Sequence, residues 1–276
     1  MNALSRSSAL MPFPAFPSSL AGQFPVTGIG MRRFGIYEND LVIDFAGSDT
    51  PALITRILEQ CAIDPEGSLP AGIFRELSIG KRLECLLGLA AGGPEAVLSF
   101  PFKCGGCGEE IELELTIGEI SARQHEADLI ETVEVEIKGE STAFRKPSGR
   151  DQENWAGMVF RDEREAARAM ICTLTVTPVG WEALDADDLD RIDEAMDEAD
   201  PLINFRCHVA CGECGEQSEF LIDLCDTALG MLSRLQQQLI VMVHKLASHY
   251  HWSEKDVFAV PHWRRIEYLD LIAAGR

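Results

Sequence analysis

Nine cysteines in a chain of 276 residues are the side chains best suited to chemistry, and four of them form two Cys-x-x-Cys pairs, Cys104/Cys107 and Cys211/Cys214. Two residues between paired cysteines let one tight turn aim both sulfurs at a single ion. The glycine after each pair, Gly108 or Gly215, tolerates the positive φ that such a knuckle demands. Two knuckles supply four ligands, a tetrahedral shell closed to water, so Cys104, Cys107, Cys211 and Cys214 are expected to hold one structural Zn2+. Structural zinc contributes on the order of 10–16 kcal/mol in small finger peptides, enough to join distant segments into one unit. Zinc is preferred to iron on softness and coordination habit alone.

Two other readings of the pairs stay open. A redox dithiol calls for a Cys-x-x-Cys opening a helix in a βαβ setting, where the helix dipole lowers a thiol pKa; here each pair sits between strand patterns. Plain structural cysteines are the third. Cys207 and His208 adjoin the second pair and are conceivable substitute ligands, but Cys207 shares the parity of its strand's apolar residues and reads as core. Cys61, Cys85, Cys172 and Cys225 stand alone in apolar patterns and read as small hydrophobes. An odd cysteine count without an export signal fits a secreted disulfide framework poorly.

The elements that must position these thiols form a repeat. Cys104–Leu115 aligns without gaps to Cys211–Ile222, agreeing at both cysteines, two glycines and two glutamates. Leu98, Phe100 and Phe102 alternate into the first pair, and Ile203, Phe205, Cys207 and Val209 into the second. Ile111, Leu113, Leu115 and Ile117 alternate out of the first, with Phe220, Ile222 and Leu224 at matching offsets. Each copy is therefore expected to be a β-hairpin with its cysteines at the tip, around residues 96–118 and 202–224.

Elsewhere the pattern is mostly helical. A hairpin is expected over Arg33–Phe45, turned at Glu38-Asn39-Asp40. A helix capped by Asp49 or Thr50 follows, and a Leu-rich helix over Ile79–Ala91 stops at Gly92-Gly93-Pro94. Between the copies lie a strand over Thr132–Ile137, a helical stretch near Asp151–Ala169, and an acidic helix over 183–199. Leu229, Leu232, Leu235, Leu239, Val243 and Leu246 stripe a long helix ending near Tyr250. Ser253 with Asp256 caps a short helix, and Trp263, Ile266, Leu269, Leu271 and Ile272 mark a last one. The fold class is α+β: paired zinc-knuckle hairpins in a small β unit, surrounded by helices, with a C-terminal helical bundle. The expected division is a flexible N-terminal arm at 1–30, an α+β domain at 31–225, and a C-terminal helical segment at 226–276.

Charge limits the function classes. The chain carries 24 basic and 45 acidic residues, a net charge of −21. That field repels phosphate backbones, so nucleic acid is not an expected partner. Glu182–Asp200 alone holds ten acids against the single base Arg191. No apolar run is long enough to span a membrane, and Pro12, Pro14, Pro17 and Pro25 interrupt any signal-peptide helix, so a cytoplasmic protein without membrane partners is expected. Catalytic motifs fail. Gly72 to Gly80-Lys81 has the wrong spacing for a phosphate loop, with Arg82 where Ser or Thr should stand. Gly28-Ile-Gly30 lacks a third glycine, and no HExxH or GxSxG occurs. His244, His249, His251 and His262 cluster in the tail without metal-binding spacing.

Taken in order, several segments resemble the T-even phage baseplate hub assembly chaperone family of contractile phage tails and related injection systems. They are Leu77–Leu83, the Cys104 knuckle, Phe144–Glu153, Ala199–Leu202, the Cys211 knuckle and Tyr250–Leu269. Their order matches over roughly residues 30–276. The resemblance implies a non-enzymatic role in the host cytoplasm or the particle: holding or delivering a baseplate hub or spike protein. Gly105 and Gly212 stand where that family commonly has proline. Trp252, Trp263, Arg264, Arg265 and Tyr268 supply residue types enriched at interface hot spots. A zinc-ribbon nucleic-acid or regulatory protein, and a thiol oxidoreductase, are the competing functions.

Overall fold

Short hairpins rather than one continuous sheet carry the strands of this chain. The computed structural model describes residues 11–12, 30–47, 49–64, 69–176 and 184–275. A minimal antiparallel sheet pairs β1 (Met11–Pro12), β2 (Gly30–Met31) and β3 (Ala62–Ile63). Three two-stranded hairpins follow: β4 (Val97–Lys103) with β5 (Glu110–Thr116), β6 (Thr132–Ile137) with β7 (Glu140–Arg145), and β8 (Phe205–Ala210) with β9 (Gln217–Ile222). The helices are α1 (Thr50–Cys61), α2 (Ile73–Glu76), α3 (Ile79–Ala91), α4 (Ile117–Ala127), α5 (Gly149–Ala156), α6 (Glu163–Leu174), α7 (Ala186–Ala199), α8 (Leu224–Tyr250), α9 (Glu254–Ala259) and α10 (His262–Ala273). The α+β class follows. Among the described residues no helix is long and apolar enough to cross a membrane.

Local signals account for most helix ends. Asp49, not Thr50, caps α1 by accepting from the Ala52 N–H, with Pro51 in the first turn. Ser78 caps α3, and Gly92 ends it with φ 82°, in the left-handed region that favours glycine. Ser253 and Asp256 form the expected reciprocal cap of α9.

Three expectations need correction. Arg33–Phe45 is not a hairpin: Glu38–Val42 is a 3-10 turn. The buried carboxylate of Asp40 gathers the N–H groups of Gly35, Ile36 and Tyr37 at 2.9–3.1 Å and pairs with Arg32 at 2.7 Å, so these donors go to one side chain instead of a ladder. The stretch near Asp151–Ala169 is two helices, α5 and α6, parted after Gly157. The acidic helix begins at Ala186 behind its cap Asp185, and the Ala183 start lies outside the described residues. The arm expected at 1–30 also lies outside them, apart from Met11, Pro12 and Gly30. The long tail helix runs over Leu224–Tyr250 and ends at Tyr250 as expected.

Three apolar clusters organise these parts. The largest centres on α3, whose Leu83, Leu86, Leu87 and Leu89 are buried, against α1 and the first half of α8 (Leu224, Ala228, Leu232). A second joins β6, β7 and α7 through Val133, Val135, Phe144, Leu189 and Ile192. A third joins the second half of α8 to α9 and α10 through Leu239, Val243, Leu246 and Val257. At 27 residues, α8 is about 40 Å long and serves both the first and the third cluster.

Charges are buried within the largest cluster, on α3 itself. Lys81, 1% exposed, reaches Glu84 at 2.7 Å and Asp128 at 2.5 Å. The Arg82 guanidinium bonds the Pro51 carbonyl at 2.7 Å and Thr55 Oγ1 at 2.8 Å, and it fills the space that a Cβ on Gly149 would need. Asp200, fully buried, accepts the Gly80 N–H through Oδ2 at 3.1 Å. Its Oδ1 and the Gln124 Oε1 both lie over the Cα of Gly80, and neither atom has a hydrogen-bond partner among the described residues. Burial pushes the Asp200 pKa up and outweighs Lys146, the Gly80 N–H and Gln124, which favour the carboxylate; a proton on Asp200 would reconcile the two acceptors.

A carboxyl whose folded pKa exceeds its unfolded value keeps its proton longer in the native state. Its stabilisation is complete below the unfolded pKa and is lost as pH climbs towards the folded one. Asp200→Asn, which donates to Gln124 at every pH, should therefore match the wild type near pH 4. It should then gain on it by about 1.4 kcal/mol for each pH unit between the two pKa values. Urea unfolding from pH 4 to 8 measures this, and a difference independent of pH would contradict the protonated state.

Candidate metal centre

The two cysteine hairpins are built alike. In the first, Phe102 faces Ile111 and Phe100 faces Leu113; in the second, Cys207 faces Phe220 and Phe205 faces Ile222. At the tips, Cys104 N–H donates to the Glu109 carbonyl at 2.8 Å and Gly108 N–H to the Cys104 carbonyl at 2.9 Å. The matching bonds, Cys211 N–H to Glu216 and Gly215 N–H to Cys211, are both 2.9 Å. Gly108 and Gly215 take φ 76° and 75°, as a turn with positive φ requires. Cys104 and Cys211 are buried while Cys107 and Cys214 are exposed.

The hairpins meet tip to tip, and all four sulfurs lie within 4.8 Å of one another. Two approaches cross between hairpins: Cys104 to Cys214 at 3.5 Å and Cys107 to Cys211 at 3.7 Å. Exchanging the two repeats converts one of these contacts into the other, so the cluster has a local pseudo-two-fold arrangement. A tetrahedron of metal–sulfur bonds of about 2.3 Å has edges of about 3.8 Å, which these separations fit. Behind the tips, the Phe102 and Phe220 rings stack with centroids 4.0 Å apart. The four cysteines expected to share a site are thus brought together, and they can hold a metal ion.

Electrostatics favour a cation there. The Cys107 and Gly106 N–H groups point at the Cys104 sulfur and bring its thiol down to about 6. The Glu109 N–H acts the same way on Cys107, but the crowding sulfurs, led by Cys214, outweigh it and push that thiol up to about 12. Four sulfurs this close cannot all ionise by themselves; a bound cation removes that conflict. Each Cys-x-x-Cys joins two strands and opens no helix, so the helix-dipole activation of a redox dithiol does not operate at these thiols.

The remaining residues singled out in the sequence fall elsewhere. Cys207 is buried in the main core, and His208 on the neighbouring strand position is exposed and outside the cluster. Cys61 and Cys85 are fully buried, with thiols pushed up by desolvation, to about 12 for Cys61. Cys172 and Cys225 are half-buried. The tail histidines join no metal-binding group among the described residues. Trp252 packs with Tyr250 and Tyr268, whereas Trp263 is half-exposed. Arg264 donates to the Tyr268 hydroxyl at 3.0 Å, and Arg265 is buried. Two supports of the centre carry no motif: the Phe102–Phe220 stack, and Arg123, which lies over the Phe205 ring at 5.0 Å.

No protein-family model matches the chain, and neither the curated proteins nor the solved structures compared with it contain a match.

The geometry predicts one metal equivalent per chain, measurable by plasma mass spectrometry on purified protein. Cys107→Ser should lose most of that metal and lower the unfolding midpoint, while Cys207→Ser should keep it. Equal metal content in the two variants would show that the cluster is not the binding site.

Proposed function

We propose that this protein is a non-enzymatic assembly factor, fastened internally by a structural zinc ion, that holds or delivers a baseplate hub or spike protein of a contractile tail. The scaffold part of this reading is supported by the four-thiol cluster: an S4 shell leaves no position for water or substrate, which suits a structural rather than a catalytic metal. Cys104, Cys107, Cys211 and Cys214 would hold the ion, and it supplies cross-linking. Zinc is the assignment because it takes tetrahedral thiolate sites without redox chemistry.

The partner is supported by the ordered set of motifs from Leu77 to Leu269. An acidic surface agrees with the reading. Helix α7 exposes Asp187, Asp190 and Glu194, and a net charge of −21 disfavours nucleic acid as the client. The site of action is the host cytoplasm during assembly.

Two measurements on the native system test this. Affinity capture of the tagged chain during tail production should bring down a hub or spike protein in comparable amount. Deletion of its gene should leave sheath and tube proteins without finished baseplates in electron micrographs. Normal tails after deletion would rule the function out, whatever the metal content.

A further inference from the structure

The start of α10 is unusual in its charge. Its first turn, His262-Trp263-Arg264-Arg265, holds no acid, and its N-cap, Pro261, offers no side-chain bond to the free N–H groups. Cations are disfavoured at a helix N-terminus, where the dipole already presents positive potential and where anions bind readily.

Arg265 makes this more acute, because it is only 3% exposed and belongs to no ion pair among the described residues. Its Nη2 donates to the Ile36 carbonyl at 2.8 Å, and its guanidinium carbon lies 5.0 Å from the Phe258 ring centroid. The ring serves one face of the guanidinium and leaves the in-plane N–H groups unserved. Nε and Nη1 are both buried and lack hydrogen-bond partners among the described residues, as does Nδ1 of half-buried His262. Burial, then the charges of Arg265 and Arg33, lower the His262 pKa. Arg33 is exposed, with its Nε 3.7 Å from where a Cβ on Gly92 would stand. Tyr37 is the ionisable group that acts on Arg265 from the facing turn, and it is not a carboxylate.

Two buried donors without acceptors on one guanidinium, on the same helical turn as an unpartnered imidazole nitrogen, are rare in native structures, and a bound ion is a common reason for them. In a chain of net charge −21, a first helical turn with a histidine, two arginines and no acid is an exception to the prevailing field.

We propose that Arg265, His262 and Arg33 form an oxyanion-binding site, taking a phosphate or carboxylate group whose oxygens accept from the unpartnered guanidinium and imidazole N–H groups. Arg265 is the buried floor of the site, His262 its wall and Arg33 its exposed rim. This site is independent of the zinc cluster and of the proposed role in tail assembly.

The test uses the full chain at fixed ionic strength, replacing chloride by inorganic phosphate in one arm and by acetate in the other. At about ten times Kd an occupied site raises the unfolding midpoint by about 3 °C. The His262 ring signals should shift in the same titration, with the imidazole pKa moving up. An effect of phosphate alone assigns a phosphate ligand, and an effect of acetate assigns a carboxylate. Arg33→Gln, at an exposed position, and His262→Gln should each reduce the shift severalfold. That comparison separates occupancy from the general stabilising action of phosphate. The proposal is overturned if neither oxyanion exceeds chloride, or if the shift survives undiminished in both variants.

Discussion

Four sulfurs held within 4.8 Å of one another are an electrostatic problem that only a cation or retained protons can solve. The backbone makes the first answer the better one. N–H groups from Cys107, Gly106, Glu109 and Glu216 are aimed at sulfur atoms and favour the thiolate over the thiol. Segments more than a hundred residues apart must meet for this to happen, so the cluster constrains everything between them. The second apolar cluster, built on β6, β7 and α7, is bounded in sequence by the two knuckles.

The hairpins need that constraint. A two-stranded sheet alone is marginal in water, and neither hairpin gains a third strand among the described residues. Each is held at two points instead. One is the tip, where the sulfurs meet. The other is the inner face, where Leu98, Phe205, Cys207 and Ile222 enter the main core and Phe102 stacks on Phe220. Glycine at the tip turns has a local reason, but Gly106 has a different one. It lies 3.4 Å from Glu216 and 3.6 Å from the Cys214 sulfur at the position a Cβ would take, while its counterpart in the other repeat is Glu213. The pseudo-symmetry therefore holds for the ligands and the turns and lapses where the two tips pack.

What could be read from the residues was whatever is local and periodic. The Cys-x-x-Cys repeat, its flanking alternation, the stripe of α8 and the Ser253–Asp256 cap all depend on residues a few positions apart, and all appear in the structure. The misreadings share a cause. Asp40 replaces strand pairing around Arg33–Phe45 by drawing three N–H groups to its own side chain, and an aspartate in a turn-like sequence does not announce that it will be buried. Lys81 and Arg82 were legible only as a failed phosphate loop. Their partners, Asp128, Thr55 and the Pro51 carbonyl, lie up to tens of residues away and become neighbours only when α1, α3 and α4 pack. Arg265 belongs with these, since its type suggested a surface contact and its burial among Ile36 and Phe258 reverses that.

The distance along the chain between the two knuckles also sets a clock. A ribosome adds about 5–20 residues per second, so the first hairpin emerges roughly 5–20 s before the second, a long interval compared with hairpin formation in microseconds. During that interval Cys104 and Cys107 form half a chelate with half-buried Phe100 and Phe102 uncovered, open to any thiol, metal or sticky nascent segment that arrives first. Native closure is thus a late event in the life of each new molecule, since the four sulfurs can come together only after the second knuckle has emerged.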